Sequence, residues 1–225
     1  MAKIRVLIVD DSSLIRQLLS MLLSSDPEIE VVGAAPDPYV ARDMIKSLNP
    51  DVVTLDVEMP RMDGLSFLRK IMALHPLPVV MVSTLTQANA DVTIQALEAG
   101  AVDFVAKPTS QLDKGMEVLA TQLQAKIKEA ARTKVYARAE TAPEEQKPVN
   151  RVKSIGVTDK IIFVGASTGG VEALLKLLLG FPEDCPPILI TQHMPERFTA
   201  SFAARLNTVC AMKVVEAANE QPIQQ

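Results

Sequence analysis

The chain has 225 residues, of which 48% are hydrophobic and 4% aromatic, and its formal net charge is −4. This length allows one large domain or two modest ones, and the aliphatic composition suits an α/β protein. The acidic balance argues against nucleic-acid binding, and no apolar run approaches the roughly 20 residues of a membrane span. Cys185 and Cys210 lack metal-ligand spacing, so we expect reduced thiols in a cytoplasmic protein without membrane insertion.

The first half of the chain alternates between short apolar runs and segments of helical periodicity. Helices are predicted from Ser12 or Ser13 onward and at residues 39–48, 65–74, 89–99 and 112–131. Strands are predicted at residues 4–9, 30–35, 51–55, 79–82 and 101–106. Five βα units of this kind predict a doubly wound parallel sheet.

The second half begins with a stretch whose apolar periodicity fades, at residues 132–158, and which we interpret as a linker. Its Lys and Arg excess favours a solvated tether over a binding patch. A new strand is predicted at residues 161–164, then a Gly-rich turn and a helix. Further elements are predicted in a strand at 187–191, a helix at 199–206 and a third strand at 212–216.

Polar residues stand at the carboxyl ends of the predicted strands of the first half. Asp10 and Asp11 follow the first strand, and Asp56 follows the third. Ser83 follows the fourth strand, and Lys107 follows the fifth. Ligands bind at this edge of an open parallel sheet, so we expect the five side chains to converge there. Singly, such residues are often helix caps or surface groups, and only the combination indicates a site.

Three carboxylates in one pocket repel one another unless a cation neutralises them. Oxygen ligands indicate a hard cation, and Mg²⁺ suits phosphoryl transfer because it keeps waters and accepts phosphate oxygens. Its charge would hold Asp56 ionised, so that this carboxylate attacks phosphorus and forms an acyl phosphate. Lys107 and Ser83 would contact other phosphate oxygens.

Residues 1–125 resemble the receiver domains of bacterial response regulators. The resemblance rests on Asp10-Asp11, Asp56, Met59-Pro60, Asp63-Gly64, Ser83 and Lys107-Pro108. It implies a flavodoxin-like, five-stranded parallel domain in which a histidine kinase phosphorylates Asp56. It also implies that Asp11, Asp56 and the Glu58 carbonyl hold Mg²⁺ with help from Asp10. Phe104 occupies the position of the aromatic switch residue of receivers, and an ordinary core Phe is the alternative.

The predicted strand at 161–164 leads directly into Gly165–Gly170, and a helix follows. The pattern Gly165-x-Ser167-x-Gly169 has the form of a nucleophile elbow. His193, which follows the next strand, could reach Ser167 as a general base if the strands are neighbours. The alternative is a Gly-rich phosphate-binding turn with an unrelated surface histidine. His75 is more simply a surface or capping residue.

The segment Gly165–Gly170 together with residues 192–195, behind a receiver, resembles the chemotaxis response-regulator protein-glutamate methylesterases. The resemblance implies hydrolysis of glutamate methyl esters, and deamidation of certain glutamines, on the cytoplasmic domains of chemoreceptors. It makes Ser167 the nucleophile and His193 the base, with Thr168 lining the site. It also implies that the unphosphorylated receiver covers the esterase cleft, and that a chemotaxis histidine kinase relieves this block through Asp56.

The resemblance further implies a third triad member, an aspartate in a Gly-Met-Gly-type segment that is absent from these residues. We therefore expect a receiver at 1–125, a linker at 126–158 and a truncated, incomplete doubly wound α/β methylesterase domain at 159–225. Two rival hypotheses remain open. In one the receiver acts alone as a phosphoryl acceptor beside an inert second domain, and in the other the second domain docks on receptors without hydrolysis.

Overall fold

The computed structural model describes residues 2–84, 86–107, 112–137 and 160–223. The chain divides into two compact units, Met1–Glu140 and Thr141–Gln225. Most of the predicted linker lies outside the described residues. Its first part does not: residues 126–132 continue a helix in which Ile127 and Ala130 are buried.

The first unit contains a parallel sheet of five strands among its described residues. The strands are β1 Ile4–Val9, β2 Ile29–Ala35, β3 Val52–Asp56, β4 Val79–Ser83 and β5 Asp103–Ala106. Their order in the sheet is β2-β1-β3-β4-β5, so the chain runs outward from β1 to one side and then crosses to the other. The parallel, doubly wound sheet confirms what the βα alternation predicted, and this order is the flavodoxin-like one that the receiver resemblance implied.

Helices cover both faces of this sheet, and side-chain caps start several of them. The Ser12 hydroxyl accepts a hydrogen bond from the Ile15 N–H, and the Asp37 and Asp63 carboxylates cap the next two helices in the same way. His75 is the exposed C-cap of the third helix, as expected. The helices are α1 Ser13–Ser24, α2 Pro38–Leu48, α3 Gly64–Leu74, α4 Gln87–Glu98 and α5 Leu112–Arg132.

The core of the first unit consists of aliphatic side chains from the central strands and from α1 and α5. Buried members of this cluster include Val6, Ile8, Leu19, Leu23, Val52, Val80, Leu123 and Ile127. Burial of strand residues on both faces is what the unbroken apolar runs indicated, since a parallel sheet is covered on both sides. This rigid sheet fixes the positions of the loops at its carboxyl edge.

The fifth strand is shorter than predicted because a helix-ending motif uses its first residues. Gly100 has φ +113°, the Gly100 N–H bonds the Leu97 carbonyl, and the Ala101 N–H bonds the Ala96 carbonyl. This is a Schellman motif, which needs a left-handed residue after the helix cap. The strand therefore begins only at Asp103.

In the second unit, β6 Ile162–Ala166 pairs in parallel with β7 Ile188–Gln192. The helices α6 Gly170–Leu179 and α7 Glu196–Val209 follow these strands. α7 is longer than predicted, and buries Phe198, Phe202 and Leu206 along one face. These βα units match the expectation of a partial α/β domain. Cys185 is buried, Cys210 is half-buried, and both are free thiols.

The predicted strand at 212–216 is wrong. This segment has no strand structure and is held beside α7 by side chains. The Val214 N–H donates to Oδ1 of Asn207 at 2.8 Å, and the Thr199 hydroxyl donates to the Glu216 carboxylate. The segment therefore makes local contacts with a helix and pairs with no described strand.

Candidate functional site

A single lysine joins two buried carboxylates at the carboxyl edge of the first sheet. Asp10 follows β1, Asp56 ends β3, and Oδ2 of each lies 2.8 Å from Nζ of Lys107. The Asp10 and Asp56 side chains are 0% and 3% exposed, and that of Lys107 is 12% exposed. The predicted convergence of these strand-end residues is thus present in the structure.

When Asp10, Asp56 and Lys107 are all ionised, they carry two negative charges and one positive charge. Burial raises the pKa of Asp56 to about 6; the Asp10 carboxylate adds to this rise, and Lys107 opposes it. Burial by itself would lower the pKa of the Lys107 ammonium, but hydrogen bonds to Asp10 and Asp56 outweigh it and raise that pKa. One buried ammonium therefore faces two carboxylates, and this imbalance favours a further positive charge.

Asp11 completes an acidic cluster that could hold a metal ion. One carboxylate oxygen from each of Asp10, Asp11 and Asp56 lies within 4.8 Å of the others, and Asp11 is exposed to solvent. Oxygen atoms at this spacing suit a hard cation such as Mg²⁺. The three carboxylates therefore suit the Mg²⁺ ion that the sequence predicted. The choice of Mg²⁺ rests on the chemistry of these oxygen ligands.

Arg16 was missed by the sequence reading although it organises the acidic turn. Its Nη1 donates to the main-chain carbonyls of Asp10 at 2.8 Å and Asp11 at 2.9 Å. The Ser12 N–H donates to Oδ1 of Asp10 at 2.9 Å. The turn between β1 and α1 is therefore held from both sides. An arginine one turn into the first helix gives no sequence signal by itself.

Ser83 ends β4 in a buried position beside Lys107. The Lys107 N–H donates to the Ser83 carbonyl at 2.7 Å, which joins the ends of β4 and β5. The Ser83 hydroxyl donates to the carbonyl of Thr84 at 3.3 Å. The side-chain amide of Asn89 in turn donates to the Thr84 hydroxyl. Ser83 and Lys107 are thus brought together, and Pro108 lies outside the described residues.

The loop after β3 closes tightly on the strand end. The Glu58 N–H donates to Oδ1 of Asp56 at 3.3 Å, and the Gly64 N–H donates to the Val57 carbonyl at 2.9 Å. A Cβ added at Gly64 would lie 1.9 Å from the Asp56 carbonyl oxygen, so this position requires glycine. Glu58 and Asp11 both border an open depression of about 550 Å³, with Val57, Met59, Pro60, Asp63, Leu65, Asn89 and Val92.

Arg61 anchors this loop in a way that the sequence did not indicate. Its backbone has φ +70°, in the left-handed region that side chains other than Gly and Asn seldom adopt. Its guanidinium lies 2.6 Å from Oδ2 of Asp37 and 5.6 Å from the centre of the Tyr39 ring. The ion pair and the ring contact hold the loop against the start of α2.

Phe104 lies on β5 and is 3% exposed. Its N–H donates to Oδ1 of Asp103 at 2.7 Å, and the same oxygen lies 2.6 Å from Nζ of Lys126. Nζ of Lys126 is also 5.2 Å from the centre of the Phe104 ring. A salt bridge and a cation–π contact therefore surround the predicted switch ring. Its role as a switch stays a prediction.

In the second unit, Ser167 and His193 follow paired residues of adjacent strands. Ala166 is in register with Gln192, and the His193 N–H donates to the Ala166 carbonyl at 3.0 Å. Both side chains are exposed. The strands are neighbours, as the Ser–His hypothesis required, so both residues lie at one end of the two-stranded sheet.

In the predicted nucleophile elbow between β6 and α6, the glycines on the two sides of Ser167 have different surroundings. A Cβ at Gly165 would meet no atom within 4 Å, whereas one at Gly170 would lie 2.1 Å from Oε1 of Gln192 and 2.8 Å from Cβ of Ala166. Gly169 has φ +74° and is the N-cap of α6. Glycine is therefore needed after the serine and not before it.

Comparison with known families separates the chain into the same two parts. Residues 6–120 match the response regulator receiver domain, and residues 162–225 match the CheB methylesterase. A protein-glutamate methylesterase/protein-glutamine glutaminase of Hydrogenovibrio crunogenus is 48% identical over 99% of this chain and 67% of its own length. The chain belongs to the receiver-containing protein-glutamate methylesterase family.

Further members of this methylesterase family are similarly close. Proteins with that name from Dechloromonas aromatica and Caulobacter vibrioides are 53% and 57% identical, over 99% and 97% of this chain. The chain spans 64% and 62% of their lengths. The crystal structure of the response regulator domain of Thermotoga maritima CheB matches 59% of this chain and 98% of that domain, with 42% identity and a TM-score of 0.54.

One structural observation bears on the membrane. Over the ranges that the structure describes, no helix is both long enough and apolar enough to cross a lipid bilayer. The predicted boundaries of the three segments and the predicted roles of the site residues stay predictions, since family membership alone does not determine them.

Proposed function

We propose that this protein is a response regulator of bacterial chemotaxis in which phosphorylation of Asp56 controls an esterase. The observation that carries the proposal is the buried Asp56 carboxylate, 2.8 Å from Nζ of Lys107 and within 4.8 Å of two further acids. Two carboxylates share the Lys107 ammonium and a third lies beside them, which leaves an excess of negative charge. Such an excess suits a site that binds a cation together with an anionic phosphoryl group.

The proposed cofactor is Mg²⁺, held by the carboxylates of Asp11 and Asp56 and the Glu58 carbonyl, with Asp10 assisting. The oxygen-only donor set and the spacing of its carboxylates support this choice. When bound, the ion supplies positive charge beside the attacking carboxylate and the transferring phosphoryl oxygens. The remaining chemistry falls to the side chains.

In the proposed transfer, an oxygen of Asp56 forms a bond to phosphorus as the phosphorus–nitrogen bond of a phosphohistidine breaks. The bonding electron pair leaves with the donor imidazole. That imidazole is protonated either before or after the phosphorus–nitrogen bond breaks. Lys107 stabilises negative charge on a phosphoryl oxygen, and the Ser83 hydroxyl turns from the Thr84 carbonyl to donate to another. The phosphodonor is a chemotaxis histidine kinase.

The proposed esterase chemistry belongs to the second unit. Ser167 attacks the carbonyl of a glutamate methyl ester, His193 accepts the hydroxyl proton, and methanol leaves; water then releases the glutamate. With a glutamine substrate the leaving group is ammonia. The printed names of the relatives and the common sheet end of Ser167 and His193 support this assignment. The substrates are the cytoplasmic domains of methylated chemoreceptors.

The remaining features of the proposal concern location and partners. The protein acts in the cytoplasm, without membrane insertion and without nucleic acid, which agrees with its net charge of −4. The competing proposal keeps the phosphoryl acceptor and makes the second unit inert or receptor-docking. It is favoured by the exposure of both Ser167 and His193, since reacting groups usually lie in a concave site that excludes water.

Phosphorylation of Asp56 is tested with acetyl phosphate and MgCl₂. We expect an acyl phosphate that hydroxylamine cleaves, formed by the unaltered chain and lost in Asp56→Asn. Asp43→Asn is the matched control, since Asp43 is an exposed acid on α2, and it should react normally. Equal phosphorylation of Asp56→Asn, or dependence on Asp43, would refute the assignment.

Esterase chemistry is tested with a fluorophosphonate probe, which labels serines activated by a base. We expect labelling of Ser167 that is lost in Ser167→Ala and falls at least about tenfold in His193→Ala. Labelling that is unchanged by His193→Ala would favour the inert or receptor-docking reading of the second unit. The phosphorylation result is independent of this outcome.

A further inference from the structure

The amide of Gln192 joins the two residues proposed for ester hydrolysis. Gln192 ends β7, directly before His193, and its Nε2 donates to the Ser167 carbonyl at 2.9 Å. The same nitrogen donates to the His193 carbonyl at 3.3 Å. A side-chain NH₂ has two protons, so both bonds can form at once.

The oxygen of this amide has a different environment. Oε1 of Gln192 is buried, and no donor among the described residues bonds to it. A buried acceptor without a donor opposes folding. The net contribution of this side chain to stability is therefore small, and its value lies in the two bonds that Nε2 donates.

The Gln192 amide fits beside α6 only because the first residue of this helix has no side chain. A Cβ at Gly170, the first residue of α6, would lie 2.1 Å from Oε1 of Gln192. The Gly170 N–H also donates to the Ser167 carbonyl, at 2.7 Å. The Ser167 carbonyl thus accepts from the helix and from Gln192, and the missing side chain at residue 170 is what admits the second donor.

We propose that Gln192 is a positioning residue, which fixes the separation of Ser167 and His193 by bonding to the backbone of both. The proposal rests on the esterase function proposed above. His193 is already connected to Ala166 through its N–H. The Gln192 bonds add a second connection just beyond the strand ends, where the hydrogen-bond ladder no longer sets the spacing. Small displacements of reacting groups reduce rates strongly, so this connection should affect the reaction more than the fold.

Two variants remove the connection by different routes. Gln192→Leu deletes the donors and keeps an apolar side chain of similar length, whereas Gly170→Ala leaves the amide intact but displaces it. Thr191→Val is the matched control, because Thr191 is an exposed residue of the same strand and points to the opposite face. All three are made in the full chain.

The first readout is the rate at which a fluorophosphonate labels Ser167. In this reaction Ser167 Oγ bonds to phosphorus, fluoride leaves, and the hydroxyl proton passes to His193. We expect Gln192→Leu and Gly170→Ala to slow the His193-dependent rate by about 10- to 100-fold. Thr191→Val should stay within about twofold, and thermal unfolding of Gln192→Leu should be close to that of the unaltered chain. Normal labelling of Gln192→Leu would overturn the proposal.

The second readout does not depend on esterase chemistry. Hydrogen exchange of the Gln192 side-chain NH₂, followed by NMR, should be slow in the unaltered chain and in Thr191→Val and fast in Gly170→Ala. If Ser167 is not labelled in the unaltered chain, the proposed function fails, and this exchange pattern still decides the connection. Exchange as fast as that of an exposed glutamine in the unaltered chain would refute it.

Discussion

Asp56 shows how one residue balances stability against chemistry. Its carboxyl is 3% exposed, and burial raises its pKa to about 6, above the usual value of 3.8. The folded state therefore binds more protons than the unfolded chain between about pH 4 and pH 6. It follows that the Asp56 contribution to the free energy of unfolding falls as the pH rises through this window. Keeping Asp56 buried and ionised at neutral pH therefore lowers the free energy of unfolding.

The substitution Asp56→Asn mimics the protonated carboxyl and should remove this penalty. We expect the Asp56→Asn variant to be more stable than the unaltered chain by up to about 3 kcal/mol at pH 7.5. The advantage should shrink below pH 6 to about 0.5 kcal/mol near pH 4, where Asp56 is protonated in the folded state but still about half ionised in the unfolded chain. Urea unfolding from pH 4 to pH 8 measures the difference. A stability difference that does not change with pH would show that the ionisation of Asp56 is not its source.

Gly64 is a residue whose identity the fold requires. An added Cβ would lie 1.9 Å from the Asp56 carbonyl oxygen, a backbone atom that cannot turn aside. At Gly33 the added atom would meet only the ends of flexible side chains, such as Cδ1 of Leu48 at 3.0 Å. The two glycines therefore provide a matched pair.

We expect Gly64→Ala to lower the free energy of unfolding by about 1–3 kcal/mol and to slow phosphorylation of Asp56, because the strand end must shift. Gly33→Ala should change stability by less than about 1 kcal/mol and leave phosphorylation unchanged. Urea titration and acetyl phosphate labelling test both variants. Normal phosphorylation of Gly64→Ala would show that the loop accommodates the methyl group without moving the carboxylate.

At the scale of elements, the loop between β3 and α3 depends on Arg61. Its left-handed backbone is strained for a residue with a side chain, whereas its ion pair with Asp37 and its contact with Tyr39 favour the observed loop. Hydrogen bonds from the Val40 and Tyr39 N–H groups, together with the Arg61 guanidinium, lower the pKa of Asp37 despite burial. Side-chain contacts thus hold a backbone that glycine would adopt freely.

Two substitutions at Arg61 separate the strain from the contacts. Arg61→Ala loses the contacts and keeps the strain, whereas Arg61→Gly loses the contacts and relieves it. We expect Arg61→Ala to be less stable than Arg61→Gly by about 1 kcal/mol, as measured by urea unfolding. The opposite order would mean that the loop leaves the left-handed conformation once the ion pair is gone.

Across the whole molecule, the two units differ in how completely their sheets are covered. The strands of the first unit are largely buried, with β3 and β4 buried throughout. In β6 the residues alternate between half-buried and exposed, and Phe163 is 75% exposed. A two-stranded sheet with an open apolar face is marginal by itself.

We therefore expect the second unit to open first. Backbone amides of β6 and β7 should exchange with solvent at least about tenfold faster than those of β1, β3 and β4. Hydrogen exchange followed by mass spectrometry measures this directly. Equal protection of the two sheets would show that the second unit is as stable as the first.

The sequence by itself determined the parts that depend on local chemistry. Unbroken apolar runs and helical periodicity predicted the five-stranded sheet, and the strand-end positions of Asp10, Asp56 and Lys107 predicted their convergence, because parallel strands end at a common edge. The wrong strand prediction also came from reading a local segment by itself. Residues 212–216 were predicted as a strand, but contacts with Asn207 and Thr199 hold them beside a helix.

Only the tertiary structure decided the contacts between residues that are distant in the chain. The ion pair of Arg61 with Asp37 and the bond from Gln192 to Ser167 have no periodic signal. Each depends on which strands become neighbours and on how far a long side chain reaches. Periodicity reports burial along one element, whereas these contacts join different elements, and so they follow from packing alone.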